Sequence, residues 1–268
     1  MTPHDPITSL TNPRVKAAVR LRDRREREAT GRTIVDGARE ILRALDAGVD
    51  VATAFLCHDL VRSPDAHAVA DRLARRDTTI EVSPEVLAKV AFGDRSDGIV
   101  AIVETPRLGL ADLALATDPL VVVVEGLEKP GNLGAILRSA DGAGADAVIV
   151  ADPLTDAFNP NAIRASLGTI FAMPVVTATS EATLAWLGNR GIRVVATIVE
   201  ASTPYTRADL TGPLAIVLGS EAGGLSPAWR TPDVTGISIP MAGIADSLNV
   251  SVAAAVVLFE AVRQRADT

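Results

Sequence analysis

Cysteine, aromatic side chains and long apolar runs are all scarce in this chain, and each shortage removes a class of protein. Cys57 is the only cysteine among 268 residues, so no intramolecular disulfide can form and a cysteine-based zinc site is excluded. A reducing cytoplasm is the expected setting. The histidines His4, His58 and His67 lie in polar or terminal segments without ligand spacing; they are assigned to the surface and no metal is expected. Apolar runs such as 121–124 are far too short to cross a bilayer. The first residues, Met-Thr-Pro-His-Asp, show no basic-then-apolar leader. A soluble protein without a membrane partner is expected.

Positive charge is also in deficit, with 26 Lys and Arg against 33 Asp and Glu and a net charge of −7. Phosphate binding depends on Lys and Arg and on counterion release, so this chain does not grip nucleic acid over its whole surface. Any such contact must be local. Between positions 14 and 32 stand Arg14, Lys16, Arg20, Arg22, Arg24, Arg25, Arg27 and Arg32, opposed only by Asp23, Glu26 and Glu28. This run is either a salt-bridged, solvated helix face or a basic patch for nucleic acid, with Arg14, Arg22, Arg24 and Arg25 as the candidate contacts.

What is present is apolar periodicity of two kinds. Thr11-Asn-Pro-Arg opens a capped helix that Gly31 ends. Strands at 33–36, 51–57, 79–82 and 99–103 alternate with helices at 38–47, 66–75 and 84–90, which predicts a small α/β domain over residues 1–105. Pro106 and Gly109 then mark a linker over 106–118. Short apolar runs at 121–125, 147–150, 173–177, 193–197 and 214–218 follow, separated by helical stretches. Such runs fit parallel strands covered on both faces, so 119–268 reads as a doubly wound α/β domain. The alanine- and valine-rich helix 250–262 is either a core helix or a dimer face.

Glycine-rich segments after the strands carry the chemistry. Gly126-Leu-Glu-Lys-Pro-Gly-Asn-Leu-Gly fails the dinucleotide fingerprint, and no phosphate-binding G-x-x-x-x-G-K-[ST] loop occurs. In Gly219-Ser-Glu-Ala-Gly-Gly, Glu221 stands where a phosphate would approach, so an uncharged or cationic ligand fits better. Ser247 and Asn249 stand at the start of the last helix, where they act as an N-cap or meet a polar ligand.

Pro130-Gly-Asn-Leu-Gly-Ala-Ile-Leu-Arg-Ser139, Gly219-Ser-Glu-Ala-Gly-Gly-Leu225 and the stretch from Ile239 to Glu260 resemble, in order and approximate spacing, the three motifs of the SpoU/TrmH-type RNA ribose 2′-O-methyltransferases of the SPOUT superfamily. Ile7-Thr-Ser-Leu-Thr-Asn-Pro-Arg-Val-Lys16 and Gly98-Ile-Val-Ala101 are similar to segments of the L30e-like RNA-binding domain that many members carry. The resemblance implies a deep trefoil knot in the second domain, a homodimer through that domain, and S-adenosyl-L-methionine as cofactor. By the same resemblance Asn132, Arg138, Glu221, Ser247 and Asn249 are catalytic, and Thr197, Leu218, Gly219, Ile239, Met241 and Leu248 hold the cofactor. Arg138 is expected as a phosphate clamp and stabiliser of the developing alkoxide, because a guanidinium stays protonated and makes a poor base. Glu221 is expected to fix Asn132 or Arg138, or to face the cofactor cation. Arg164 and Ser166 are expected beside the RNA, and Tyr205 could stack on a base. The implied reaction is methylation of a ribose 2′-OH, in 23S rRNA for maturation or antibiotic resistance; a tRNA enzyme and a non-catalytic RNA-binding protein are the alternatives.

Overall fold

A computed structural model describes residues 6–74, 76–93, 97–221 and 223–266. His4 and Arg75, expected at the surface and at a helix end, lie outside the described residues. The chain divides into two compact units, Met1–Pro106 with Phe158–Ala172, and Arg107–Ala157 with Met173–Thr268.

In the first unit the expected basic helix is broken in two. Asn12 accepts from Arg14 N and starts α1 (Pro13–Arg20); Asp23 accepts from Arg25 N and restarts the chain as α2 (Arg24–Thr30), which Gly31 closes at φ 67°. Strands β1 (Arg32–Asp36), β2 (Val51–Leu56), β3 (Thr79–Glu81) and β4 (Ile99–Glu104) pair in the order β1-β4-β2-β3. The β1–β4 and β2–β4 pairs are antiparallel and β2–β3 is parallel. Helices α3 (Ala38–Asp46), α4 (Pro64–Leu73) and α5 (Pro84–Val90) accompany them. Val15, Ile34, Phe55, Leu87 and Val100 form the core on one side.

Two further helices of this unit come from much later in the chain. α6 (Pro160–Ala165) packs on β1 and α7 (Thr169–Ala172) on α3. Thr33 Oγ1 donates to Phe158 O at 2.8 Å and Arg43 Nη1 to Leu167 O at 2.7 Å. Gly168 adopts φ 81° and lies so near Glu40 that a Cβ would stand 2.9 Å from its Cα, so only glycine permits this approach. Sequence reading gave this segment to the second domain, because nothing local in it announces these distant partners.

The second unit is built on a parallel sheet in the order β10-β8-β9-β5-β6-β7. Its strands are β5 (Leu120–Glu125), β6 (Ala147–Ala151), β7 (Val175–Ala178), β8 (Arg193–Thr197), β9 (Leu214–Leu218) and β10 (Val234–Ile237). Every residue of β5, β6 and β9 is buried, as continuous apolar runs require. Sequence reading missed β10, a short Val-Thr-Gly-Ile edge strand with one fully buried residue, Ile237. Helices α8 (Pro130–Gly142), α9 (Ser180–Asn189) and α10 (Val250–Ala266) complete the unit, with α10 packed on α8 and β9. The expected linker belongs here too, since Leu113 is buried in this unit's core. Among the described residues no helix is long and apolar enough to cross a membrane.

Candidate functional site

A cavity of about 340 Å³ opens at the carboxyl ends of β8 and β9, the end at which open α/β sheets bind ligands. Thr197 and Leu218 end those two strands, Gly219 follows β9, and Ile239, Met241 and Leu248 come from the loop leading to α10; all of them line the cavity. Gly219 is required by the turn itself. A Cβ there would stand 2.4–2.6 Å from the Gly224 carbonyl and Leu225 N, which are backbone atoms with nowhere to go. Gly224, at φ 64°, closes the turn through reciprocal hydrogen bonds with Ser220. Among the described residues, Glu200, Glu221 and Asp246 line the cavity against one cation, Arg230. This excess of carboxylate suits a cationic ligand.

A buried acid ties this loop to the sheet. Glu125, at the end of β5 and only 6% exposed, accepts from Ser226 N at 2.7 Å, Ser226 Oγ at 2.6 Å and Ser180 Oγ at 2.6 Å. Trp229 Nε1 in turn donates to Ser180 Oγ at 3.2 Å. Sequence reading saw Glu125 only as a strand end, since its partners lie 55 and 101 positions away.

Beside the cavity, three distant segments meet at Glu221. Its Oε1 accepts from Asn132 Nδ2 at 2.5 Å, in the first turn of α8, and from Asn249 Nδ2 at 2.7 Å. Lys129 Nζ pairs with Oε2 at 2.7 Å. Asn249 also caps α10, its Oδ1 accepting from Ser251 N at 2.9 Å and Ser251 Oγ at 2.6 Å. The Lys129 hydrogen bond holds the Glu221 carboxyl below the usual carboxylate range. Of the roles expected for Glu221, the structure shows it holding Asn132. A second cavity of about 250 Å³ lies next to this cluster, lined by Leu127, Glu128, Lys129, Asn132, Ser220 and Glu221.

The remaining candidates are dispersed. Ser247 lines the larger cavity. Arg138 is exposed on α8, outside the Glu221 cluster, with no hydrogen-bond or ion-pair partner among the described residues. Arg14 and Arg25 are likewise exposed with unengaged side chains, whereas Arg24 pairs with Glu28 at 2.6 Å. Arg22 donates to the carbonyls of Lys89 and Ala91 at the end of α5, so part of the basic run is structural. Arg164 sits against Gly93, where any side chain would collide with its guanidinium. It also acts on two buried acids: burial pushes the Asp36 and Glu40 carboxyls up, and Arg164 is among the groups drawing them back. The expectation that Ser166 approaches RNA is corrected. Its side chain is fully buried, Oγ donating to Ile163 O and accepting from Gly168 N, so it shapes the α6–α7 turn instead. Tyr205 is half-buried, its N donating to Ser238 O at 2.9 Å. His58 is exposed and lies 3.5 Å from Glu81, and His67 is exposed on α4. Among the described residues no group of His, Cys, Asp and Glu could hold a metal ion.

Comparison with known proteins matches residues 119–259 to the SpoU rRNA Methylase family and residues 12–101 to the MRM3-like substrate binding domain. The 23S rRNA (uridine(2479)-2′-O)-methyltransferase of Streptomyces viridochromogenes is 35% identical over 91% of this chain and 87% of its own length. The 23S rRNA (guanosine-2′-O-)-methyltransferase RlmB of Ralstonia nicotianae is 39% identical over 81% of this chain and 94% of its own. Among solved structures, the AdoMet-bound rRNA methyltransferase from Sinorhizobium meliloti superposes with a TM-score of 0.87 at 32% identity, covering 96% of this chain and 97% of that one.

Proposed function

The chain belongs to the SpoU rRNA Methylase family, and on that premise we propose that it transfers a methyl group from S-adenosyl-L-methionine to a ribose 2′-OH of 23S rRNA. The observation that carries this reading is the cluster at Glu221, where Asn132, Glu221 and Asn249, from three segments remote in sequence, converge beside a cavity rich in carboxylate.

The residues present fit the cofactor. Leu218, Ile239, Met241 and Leu248 supply apolar wall for an adenine, and Glu200, Glu221 and Asp246 favour a sulfonium cation. When bound, S-adenosyl-L-methionine supplies an electrophilic methyl group. Asn132 orients a polar group of the nucleotide beside it, Asn249 supports that placement through Glu221, and Ser247 offers a further hydroxyl from the cavity wall. Arg138, without a partner among the described residues, is available to clamp a phosphate and to stabilise the alkoxide as the proton leaves. Arg14 and Arg25 provide unengaged charge on the substrate-binding domain, and Arg22 and Arg24 add to the field there.

A homodimer through the second unit and the deep trefoil knot belong to the same reading. The exposed apolar residues Val252 and Phe259 on α10, at 48% and 51%, support a pairing face there. The enzyme is taken to be cytoplasmic, since rRNA is its substrate. Incubation with labelled S-adenosyl-L-methionine and unmodified 23S rRNA or tRNA, followed by mass spectrometry of nucleosides, tests the reading. Label is expected on a ribose of 23S rRNA; label on a base would sink the proposed chemistry, and label on tRNA alone would move the substrate.

A further inference from the structure

Glu221 governs which way two amides face. A carboxylate only accepts hydrogen bonds, so Asn132 and Asn249 must both turn Nδ2 towards Oε1. Asn249 then commits its oxygen to Ser251. Among the described residues Asn132 Oδ1 meets only Asn249 Nδ2, at 3.4 Å, and so remains an acceptor for a substrate hydroxyl. A protonated Glu221 would carry a donor of its own, and the amide orientations would no longer be dictated.

Lys129 is the group that opposes such a change. It stands immediately before α8, three positions ahead of Asn132, and its Nζ lies 2.7 Å from Glu221 Oε2. The two ions favour one another's charged forms: Lys129 lowers the Glu221 carboxyl, and the carboxylate raises the Lys129 ammonium. The other charged groups facing Glu221 across its two cavities are Glu128 on one side and Glu200, Arg230 and Asp246 on the other. With side chains 69% and 29% exposed, the pair adds little to fold stability, so its consequence is geometric.

We propose that Lys129 is a positioning residue for methyl transfer: by pairing with Glu221 it fixes the carboxylate that sets the amide orientations of Asn132 and Asn249. This rests on the methyltransferase reading above. The competing role is a direct contact between Lys129 and an RNA phosphate, which would move RNA affinity rather than rate.

The test compares full-length wild type with Lys129→Ala and Lys129→Arg, using Glu221→Gln to assign the Glu221 resonance. Carbon-13 carboxyl NMR without RNA or cofactor should show Glu221 titrating at higher pH in Lys129→Ala and returning towards wild type in Lys129→Arg. At saturating RNA and S-adenosyl-L-methionine, Lys129→Ala should lose about 10–100-fold in kcat, the cost of slight misplacement of a reacting group. The acid limb of its pH–rate profile should move up in pH, while KM for RNA and affinity for S-adenosylhomocysteine stay within about twofold and Lys129→Arg recovers most of the rate. An unchanged Glu221 titration, or a raised KM for RNA with kcat preserved, would overturn the proposal. Absence of methylation by wild type would instead defeat the functional reading, and the NMR titration would still decide whether Lys129 controls Glu221.

Discussion

Replacing Glu125 should cost both stability and the cofactor binding proposed above, because one buried carboxylate holds the loop after β9 to the sheet. It accepts from Ser180 Oγ, Ser226 Oγ and Ser226 N, and Trp229, itself fully buried, hangs on Ser180. Glu125→Gln keeps the volume but has one accepting oxygen. If that oxygen serves the two hydroxyls, the new amide nitrogen faces Ser226 N, donor against donor, and a buried unsatisfied donor costs about 1–3 kcal/mol. Glu125→Ala removes every acceptor and leaves a void, so the Ser226 N–H and the two serine hydroxyls all lose their partner, at about 1–3 kcal/mol for each donor that stays unsatisfied, and the loss should exceed that of the Gln variant. Urea unfolding at neutral pH should show the midpoint falling in the order wild type, Gln, Ala with the slope unchanged. Leu225 precedes Ser226 and lines the cavity, so calorimetry should also show weaker binding of S-adenosylhomocysteine in both variants. A Glu125→Ala protein within about 0.5 kcal/mol of wild type, the range of ordinary surface substitutions, would refute the anchoring role.

Gly219→Ala should weaken S-adenosylhomocysteine binding by roughly 5–100-fold, the equivalent of about 1–3 kcal/mol of overpacking against backbone that cannot yield, as calorimetry would read. Arg138→Ala should lower single-turnover methylation by on the order of 10²–10⁴ with cofactor affinity within a few fold; equal losses in both would make Arg138 structural. Neutralising Arg14 and Arg25, rather than the engaged Arg22, should flatten the salt dependence of RNA binding by roughly 0.7–0.9 in log–log slope per contact, and an unchanged slope would return the run to a solvated face. Remixed Arg138→Ala and Asn249→Ala subunits should recover about a quarter of wild-type activity if each cleft draws on both protomers, and native mass spectrometry would verify exchange; no recovery from proven heterodimers would assign each site to one chain.

Local chemistry made much of this fold legible. The helix 84–90 was placed from Pro84 and its apolar spacing, and the strands 193–197 and 214–218 from uninterrupted apolar runs; the structure has them at those bounds. Asn12 and Gly31 announced a helix start and a helix end, because capping is a contact between near neighbours. The same locality explains what was misread. Asp23 is an ordinary acid in a basic run until its side chain caps Arg25, and β10 is too short and too mixed to show a period.

The chain by itself determined the alternation of elements, the burial of β5, β6 and β9 and the glycines of the turn after β9, since each follows from spacing along a few residues. Tertiary structure decided which side chains act together. Asn132 reaches Glu221 across 89 positions, Lys129 reaches it from three positions farther, and Glu125 reaches Ser226 across 101. Residues 158–172 leave the second unit to close the first, burying Ser166 on the way. Hydrogen bonds act over about 3 Å and carry no trace along the chain, so only the fold can bring such partners within range.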